Sequence, residues 1–336
     1  MVRVFSVFPF FGSEFEKWGD AVERPLITIA LFAFNQQQSV REAVKGAFSQ
    51  AYSPLEIILS DDGSSDRTFE IMCEMAASYD GPHFVKVRRS DKNKGLIRHI
   101  NDVAGVSSGE IIVMAAGDDV SLPYRAEHVA KVFTDYPNIF ALYTGFFDMR
   151  LTDVDETLLS PMELPVFLRT ITLSQHAFLG GGTGNGATYA YRRDCFHWPA
   201  AIPDECQTED RILPMRAAIL GDVAYSTART VLYLTRASGD SWAERGLDPL
   251  NLKSHVRALL RELKLARKSQ KLSFWEFCRC WLIIRVRHAT YCPPTYDNVN
   301  FFLKPRCALR YFYRKLGSAA CKPLVAKSKP WNGLLP

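Results

Sequence analysis

Among the adjacent acidic pairs of this chain, Asp61-Asp62, Asp118-Asp119 and Glu209-Asp210 border apolar runs and have residue types suited to holding a cation or moving a proton. Adjacent carboxylates repel unless a cation or hydrogen-bond donors share their site. Asp118-Asp119 closes an apolar run, Glu110-Ile111-Ile112-Val113-Met114-Ala115-Ala116-Gly117. Where a strand's carboxyl end opens into a crevice, such a pair suits a divalent metal with oxygen ligands, which usually arrives with a phosphate-bearing ligand. Taken alone, Asp118-Asp119 reads as a wet turn; its surroundings lift it. Thr208-Glu209-Asp210-Arg211-Ile212-Leu213 runs into the apolar stretch from Met215 to Leu220 and stops at Gly221. Acids in a helix's first turn complement the positive end of its dipole, and the same place can present a general base. Pro214 fits early in a helix and poorly later, so the helix should start nearby.

These residues need elements to carry them. Leu26 to Phe32 is a buried-strand run ending at Asn35, and a helix is expected over Ser39–Gln50, with Ser39 as N-cap and Val40, Val44 and Phe48 on one face. Leu55 to Leu59 is again strand-like and ends in the turn Ser60-Asp61-Asp62-Gly63-Ser64-Ser65-Asp66, where Asp66 can cap the helix carrying Phe69, Met72, Cys73 and Met75. A third strand, Phe84 to Val87, leads to Asn93-Lys94-Gly95 and a helix through Ile100; the fourth is Ile111 to Met114. Strands separated by helices of this length imply a parallel, doubly wound sheet. Ligands bind beyond the carboxyl ends of such strands. Those ends carry Asn35, Asp61-Asp62 and Asp118-Asp119, so one crevice collects polar groups from three strands.

Other chemistries are excluded. The glycine-dense segment Phe178 to Gly186 precedes a short strand, Ala187 to Tyr191, but it lacks strand-loop-helix order and a following Gly-Lys-Ser/Thr, so it is no phosphate loop. Of the eight cysteines, only Cys278 and Cys280 are close, and no second pair stands at zinc spacing. They read as reduced thiols of a cytosolic protein. No apolar run approaches the ~18 residues of a membrane span, and the aromatic-rich start, broken by Arg3 and Pro9, is too short and irregular for a secretory signal.

The formal charge of +5 conceals two unlike parts. Residues 1–250 hold 23 Lys+Arg against 33 Asp+Glu (23 − 33 = −10), and residues 251–336 hold 18 against 3 (18 − 3 = +15). The basic tail is helical in pattern, through Leu252, Val256, Leu259, Leu260 and Leu263, then Leu272, Trp275 and Phe277; Tyr311, Phe312 and Tyr313 follow. A basic, aromatic-bearing amphipathic segment suits an anionic membrane surface, and the alternative is an ordinary helix packed on the domain with a solvated basic face. Nucleic acid is set aside because the basic charge is confined to the tail.

The ordered motifs resemble those of the inverting family 2 glycosyltransferases. Pro25-Leu26-Ile27-Thr28-Ile29 through Phe34-Asn35 looks like the family's opening strand. Ser49 to Ile58, the Asp-Asp-Gly-Ser-Ser-Asp turn, Asn93-Lys94-Gly95, Ile100-Asn101, Ser108 to Ile112 and Asp118-Asp119-Val120-x-x-Pro123 continue it in order. The likeness is densest over residues 25–135, patchier over 175–245, where it rests on the glycine segment, Tyr191-Arg192-Arg193 and Glu209-Asp210, and absent beyond 250. It implies a GT-A (Rossmann-like) α/β fold, with a mostly parallel sheet flanked by helices and a helical basic C-terminal extension. The expected divisions are an N-terminal extension (1–24), a GT-A domain (25–245, nucleotide-binding over 25–135 and acceptor/catalytic over 136–245) and the basic region 246–336.

The same resemblance implies a nucleotide-sugar donor in the crevice. Phe32 and Phe34 would line the base pocket, Asp62 would bond the base, Lys94 or Arg98 would lie near the nucleotide, and Asp118 would face the ribose. Asp119, with Asp118, would hold Mg²⁺ or Mn²⁺ on the diphosphate. Asp210 would be the base that deprotonates the acceptor hydroxyl, with Glu209 the fallback. Two departures stand out: Ala116 replaces a further metal-motif Asp, and Tyr233 to Ser241 lacks the family's His, where Arg236 either offsets diphosphate charge or is an ordinary surface arginine. The expectation is therefore an inverting, metal-dependent enzyme of cell-surface polysaccharide assembly, cytoplasmic and peripheral on the membrane's cytoplasmic face, acting on a glycan or lipid-linked acceptor. Its rivals are a non-catalytic nucleotide-sugar or glycan-binding protein on the same fold and a sugar-phosphate nucleotidyltransferase. The latter needs a glycine-rich basic loop where Phe34-Asn35-Gln36-Gln37-Gln38 stands.

Overall fold

The computed structural model describes residues 24–149, 168–179, 185–204, 206, 208–234 and 249–291. Within them the strands are β1 (Ile27–Ala33), β2 (Leu55–Asp61), β3 (Phe84–Arg89), β4 (Ile111–Ala116), β5 (Asp119–Ser121), β6 (Ile139–Met149), β7 (Leu168–Ile171), β8 (Tyr189–Arg192) and β9 (Asp222–Leu234). The helices are α1 (Val40–Phe48), α2 (Thr68–Ala77), α3 (Leu96–Val106), α4 (Arg125–Asp135), α5 (Leu173–Leu179), α6 (Asp194–His197), α7 (Glu209–Leu220), α8 (Pro249–Lys268) and α9 (Phe274–Tyr291). One sheet has the order β3-β2-β1-β4-β8-β6-β9-β5, with β7 also pairing β9.

β1, β2 and β4 are aliphatic runs buried along nearly their whole length, as central parallel strands must be. Alternate residues feed two cores. Ile27, Ile29 and Leu31 pack with α1, α2 and α4, whereas Ala30, Ile58 and Ile112 face α3 and α7. β3, at the edge, is only partly buried and carries Lys86, Arg88 and Arg89, which discourages further strand pairing. The parallel registers end level: Ala33 lies opposite Asp61, and Phe32 opposite Ala116. The loops after β1, β2 and β4 therefore emerge together. β1 lies between β2 and β4, the switch point at which an open α/β sheet forms its ligand crevice.

The parallel character belongs mainly to this half. β4 with β8, β6 with β8, β5 with β9 and β7 with β9 are antiparallel, and β6 with β9 is parallel. The sheet is mixed because β5, β7 and β8, of only 3 or 4 residues, return without a crossover helix between parallel neighbours.

Three local expectations are corrected or sharpened. Ser39 precedes α1 but makes no side-chain cap; its hydroxyl donates to the Gly117 carbonyl (2.9 Å) and ties α1 to the crevice rim. Asp66 stands one residue outside the N-cap position of α2, yet its carboxylate accepts the Thr68 amide (2.9 Å) and the Gln37 amide (3.0 Å). Pro214 lies six residues into α7 rather than in its first turn, so it cannot donate to the Asp210 carbonyl.

The basic C-terminal helices are integral to the core as far as they are described. Ala258, Leu259 and Leu263 of α8 and Cys280 and Ile284 of α9 share one cluster with Ile212, Leu213 and Met215 of α7. Arg216 of α7 and Glu262 of α8 form a buried two-pronged ion pair, with Nε–Oε2 and Nη2–Oε1 each 3.1 Å. Arg216 also donates to the carbonyls of Cys195 and Phe196. Tyr311, Phe312 and Tyr313 lie outside the described residues.

Candidate active site

The crevice is built from hydrogen bonds between the ends of β1 and β2. Asn35 turns the chain with φ 51°, a left-handed conformation that asparagine tolerates better than most residues. Its amide donates to Ser64 Oγ (2.8 Å), and its Oδ1 accepts the Ser65 amide (2.9 Å). Gly63 has φ +73°, and a Cβ there would lie 2.5 Å from the Lys92 carbonyl carbon, so this turn requires glycine. The two acids after β2 act differently. Asp61 is fully buried, accepts the Ser64 amide (3.0 Å) and hydroxyl, and pairs with Arg89 Nε (3.3 Å). Asp62 reaches across the crevice and accepts the amides of Lys94 (3.1 Å) and Gly95 (2.9 Å). Its carboxylate thus fixes the loop that opens α3 while retaining further acceptor capacity.

Phe34 is 41% exposed at the rim. Phe32, part-buried, meets His99 edge-on, with ring centroids 5.1 Å apart. Burial, then nearby Arg88, push the His99 imidazole down to about 4, so it is neutral at physiological pH. His99 Nε2 bonds Ser60 Oγ, which also accepts from Arg88 (2.8 Å). Lys94 Nζ is held by Asp102 (2.8 Å). Arg98 instead reaches Asp204 (Nε 2.8 Å, Nη2 2.7 Å) on the exposed side of α3. The Lys94 amide is fixed by Asp62, while the side chains of Lys94 and Arg98 each carry an ion pair, with Asp102 and with Asp204.

On the opposite wall, the Gly117 amide donates to the Phe32 carbonyl (2.8 Å), which places Asp118 directly beyond β1. A Cβ on Gly117 would lie 2.5 Å from Gln36 Oε1. Asp118 is part-exposed, and Asp119, the first residue of β5, is buried opposite Tyr233. Beneath them lies Arg125, fully buried. It donates to Ser121 Oγ (2.9 Å) and to the carbonyls of Met114 (2.8 Å) and Ala187 (2.6 Å). Burial lowers its pKa to about 9, against the raising field of Asp119, so the guanidinium stays charged at neutral pH. Nothing in its sequence context marks Arg125; the apolar neighbours of α4 alone hint at burial.

Arg125 also leads to the third acidic pair. Ala187 belongs to the 3-10 turn Gly186–Thr188, and a Cβ on Gly186 would lie 2.1 Å from Glu209 Oε1. This glycine makes room for the Glu209 carboxylate. Glu209 is 7% exposed, and burial, then the adjacent Asp210 carboxylate, push it up to about 8. Burial also raises Asp210, against the lowering influence of Thr208 and Arg211. Among the described residues, Asp210 Oδ1 is buried with no hydrogen-bond partner. A carboxylate oxygen that folding leaves unsatisfied is placed to accept a proton or a hydroxyl donor. Tyr191, buried beside the pair, is raised well above its ordinary value, chiefly by burial.

A divalent cation fits the donor set on one condition. No group of three or more His, Cys, Asp or Glu converges among the described residues. Asp118 and Asp119 would offer hard oxygen ligands suited to Mg²⁺ or Mn²⁺, and a diphosphate would have to supply others. Arg236 and Gly180 to Gly184 lie outside the described residues.

Comparison with known proteins agrees with this architecture. A protein-family model described as glycosyl transferase family 2 matches residues 28–191. Chondroitin synthase of Escherichia coli is 29% identical over 138 residues, which is 40% of this chain and 20% of that protein. Matches to the curated relatives cover 20% to 60% of those proteins' own lengths. Among solved structures, S. aureus TarS 1-349 in complex with UDP-GlcNAc superposes with a TM-score of 0.60 at 15% identity, covering 87% of this chain and 81% of that one. Mannosyltransferase PcManGT from Pyrobaculum calidifontis, in complex with GDP-Man and Mn²⁺, superposes with a TM-score of 0.53 at 17% identity, covering 91% and 89%. The parallel half with its acidic crevice and the first strands of the mixed half, residues 28–191, match the glycosyl transferase family 2 model, and the chain has a GT-A fold.

Proposed function

We propose that this protein transfers a sugar from a nucleoside-diphosphate donor to a hydroxyl of a glycan or lipid-linked acceptor, with inversion, in the assembly of a cell-surface polysaccharide. The observation that carries this reading is the unsatisfied Asp210 Oδ1, on a helix tied through Glu209, Gly186, Ala187 and Arg125 to the wall bearing Asp118-Asp119. Nucleotide-sugar complexes of the TarS and PcManGT folds support the donor class, and PcManGT with Mn²⁺ supports the metal.

In this reading the base packs by Phe34 and Phe32 and bonds Asp62, and Asp118 faces the ribose. Asp119 and Asp118 would hold Mg²⁺ or Mn²⁺, which supplies positive charge to the departing diphosphate. Asp210 takes the proton of the acceptor hydroxyl as its oxygen forms a bond to the anomeric carbon. The bond from that carbon to the β-phosphate oxygen breaks on the opposite face, and its electron pair leaves with the diphosphate. One displacement inverts the centre, and no covalent nucleophile is needed. Burial and the closeness of the two carboxylates raise both Glu209 and Asp210, so the pair shares a proton more readily than isolated acids and Asp210 is the stronger proton acceptor for it. Arg236 offsets diphosphate charge as the donor departs.

The test is a thermal-shift screen of UDP-, GDP- and dTDP-sugars with and without Mn²⁺, followed by turnover of the stabilising donor by wild type and Asp210→Asn. A metal-dependent shift with turnover lost in the variant is expected. A shift with no turnover in wild type, across an acceptor panel and in donor hydrolysis, makes the chain a binding protein instead.

A further inference from the structure

The α8–α9 corner combines two features that the active site does not use. Along α8, Arg257, Arg261, Lys264 and Lys268 follow one another at spacings of four, three and four residues, all exposed. That spacing puts them on one stripe about 16 Å long, opposite the buried Ala258, Leu259, Leu263 and Ala266. Arg267 and Lys271 extend the charge to the turn, where Gln270 adopts φ 57° and Leu272 is buried as an anchor.

The chain then presents Phe274 and Trp275, 55% and 79% exposed, as the first residues of α9. Their rings meet each other edge-on, with centroids 5.5 Å apart. Elsewhere among the described residues, exposed large apolar side chains stand singly at Phe34, Phe84, Leu96 and Val106. Between residues 254 and 286, eight Lys or Arg face two acids. One acid, Glu262, is buried against Arg216; the other, Glu276, is exposed and accepts the Ser273 amide (3.0 Å) and hydroxyl (2.6 Å).

A protruding aromatic pair at the end of a cationic stripe is complementary to one kind of surface. Aromatic rings settle at the headgroup level of a bilayer, and Lys and Arg beside them meet anionic headgroups. No described helix is long and apolar enough to cross a membrane, so the contact would lie on the bilayer. We propose that the α8–α9 corner docks this protein on an anionic lipid surface, with Phe274 and Trp275 entering the interface and the α8 stripe lying against the headgroups. Because α8 is clamped to α7 by Arg216–Glu262, docking fixes the orientation of the catalytic helix relative to the bilayer.

The experiment is co-sedimentation of the full chain with vesicles of phosphatidylcholine alone or doped with phosphatidylglycerol. Wild type is expected to bind the doped vesicles, weaken with added salt and bind neutral vesicles poorly. Phe274→Ala/Trp275→Ala and, separately, Lys264→Glu/Lys268→Glu should each lower the bound fraction on the order of tenfold, with thermal stability retained. Quenching of tryptophan fluorescence by brominated lipid should fall in Trp275→Phe. Undiminished binding by either double variant overturns the proposal, because the attachment then lies elsewhere. So does equal binding to neutral vesicles, a tighter complex with single-stranded oligonucleotide than with doped vesicles, or a wild-type dimer that the aromatic double variant converts to monomer.

Discussion

The end of β2 and the start of α7 treat buried carboxylates in opposite ways. At the carboxyl end of β2, Asp61 and Asp62 are each supplied with donors on both oxygens: the Ser64 amide and hydroxyl and Arg89 for one, the Lys94 and Gly95 amides for the other. At the start of α7, Glu209 and Asp210 are buried beside each other, both raised, and one oxygen of Asp210 has no partner among the described residues. Satisfied carboxylates hold a shape; a deprived one keeps a proton site available. A crevice that must receive the same nucleotide each time benefits from the first, and a group that must take up and release a proton benefits from the second.

The largest expected effect tests the deprived side. Asp210→Asn should lower kcat roughly 10²–10⁴-fold with little change in melting temperature, because no protein partner of that oxygen is lost. A variant that unfolds, or one that keeps full turnover, breaks the contrast. Next comes the clamp behind it. Glu262→Ala leaves Arg216 buried without its counter-charge and should cost about 3–5 kcal/mol in denaturant unfolding, whereas Glu262→Gln retains part of the bonding and should cost less.

At the end of β2, Asp62→Ala strips acceptors from two amides. Stability should fall by about 1–2 kcal/mol and donor affinity roughly tenfold in calorimetry, with kcat at saturating donor nearly preserved. A loss confined to kcat would place Asp62 with the reacting groups instead. The smallest effect concerns pH. Glu209 rises from an ordinary 4.5 to about 8 on folding, so both states hold its proton below about 4.5. Between those values the unfolded chain releases the proton first, the native state binds more protons, and stability falls as pH rises through that window. Wild-type melting temperature should therefore drop between pH 5 and 8 more than that of Glu209→Gln, by on the order of 5 °C. Parallel slopes would remove Glu209 from the account.

How much of this was legible depended on the range of the interactions. β1, β2 and β4 announce themselves, because strands buried on both faces must be aliphatic throughout, and the level ends of such strands bring Asn35, Asp62 and Asp118 together. The mixed half was harder: β5 has only 3 residues and owes its existence to pairing with β9 more than a hundred positions away. Arg125 and Arg216 look like ordinary helix-surface cations, and only tertiary packing shows them wholly enclosed and holding carbonyls of distant segments. Asp62 was read as a base contact, but its fixing of the Lys94–Gly95 loop across 32 residues has no local signature. The resemblance offers either Lys94 or Arg98 near the nucleotide, and the ion pairs that hold them, with Asp102 and Asp204, have no local signature in the sequence.

Pro214 gives α7 an uneven mechanical profile. Opening its first turn breaks one backbone hydrogen bond fewer than opening any later turn, since the carbonyl of Asp210 never receives the amide that a helix would ordinarily offer it. Local opening is therefore cheapest where the proton acceptor sits, and it leaves the Arg216 clamp untouched. In amide exchange the turn from Glu209 to Ile212 should trade its hydrogens well ahead of Met215 to Leu220. The helix thus carries Asp210 on a loose end and the Arg216 anchor on a tight one.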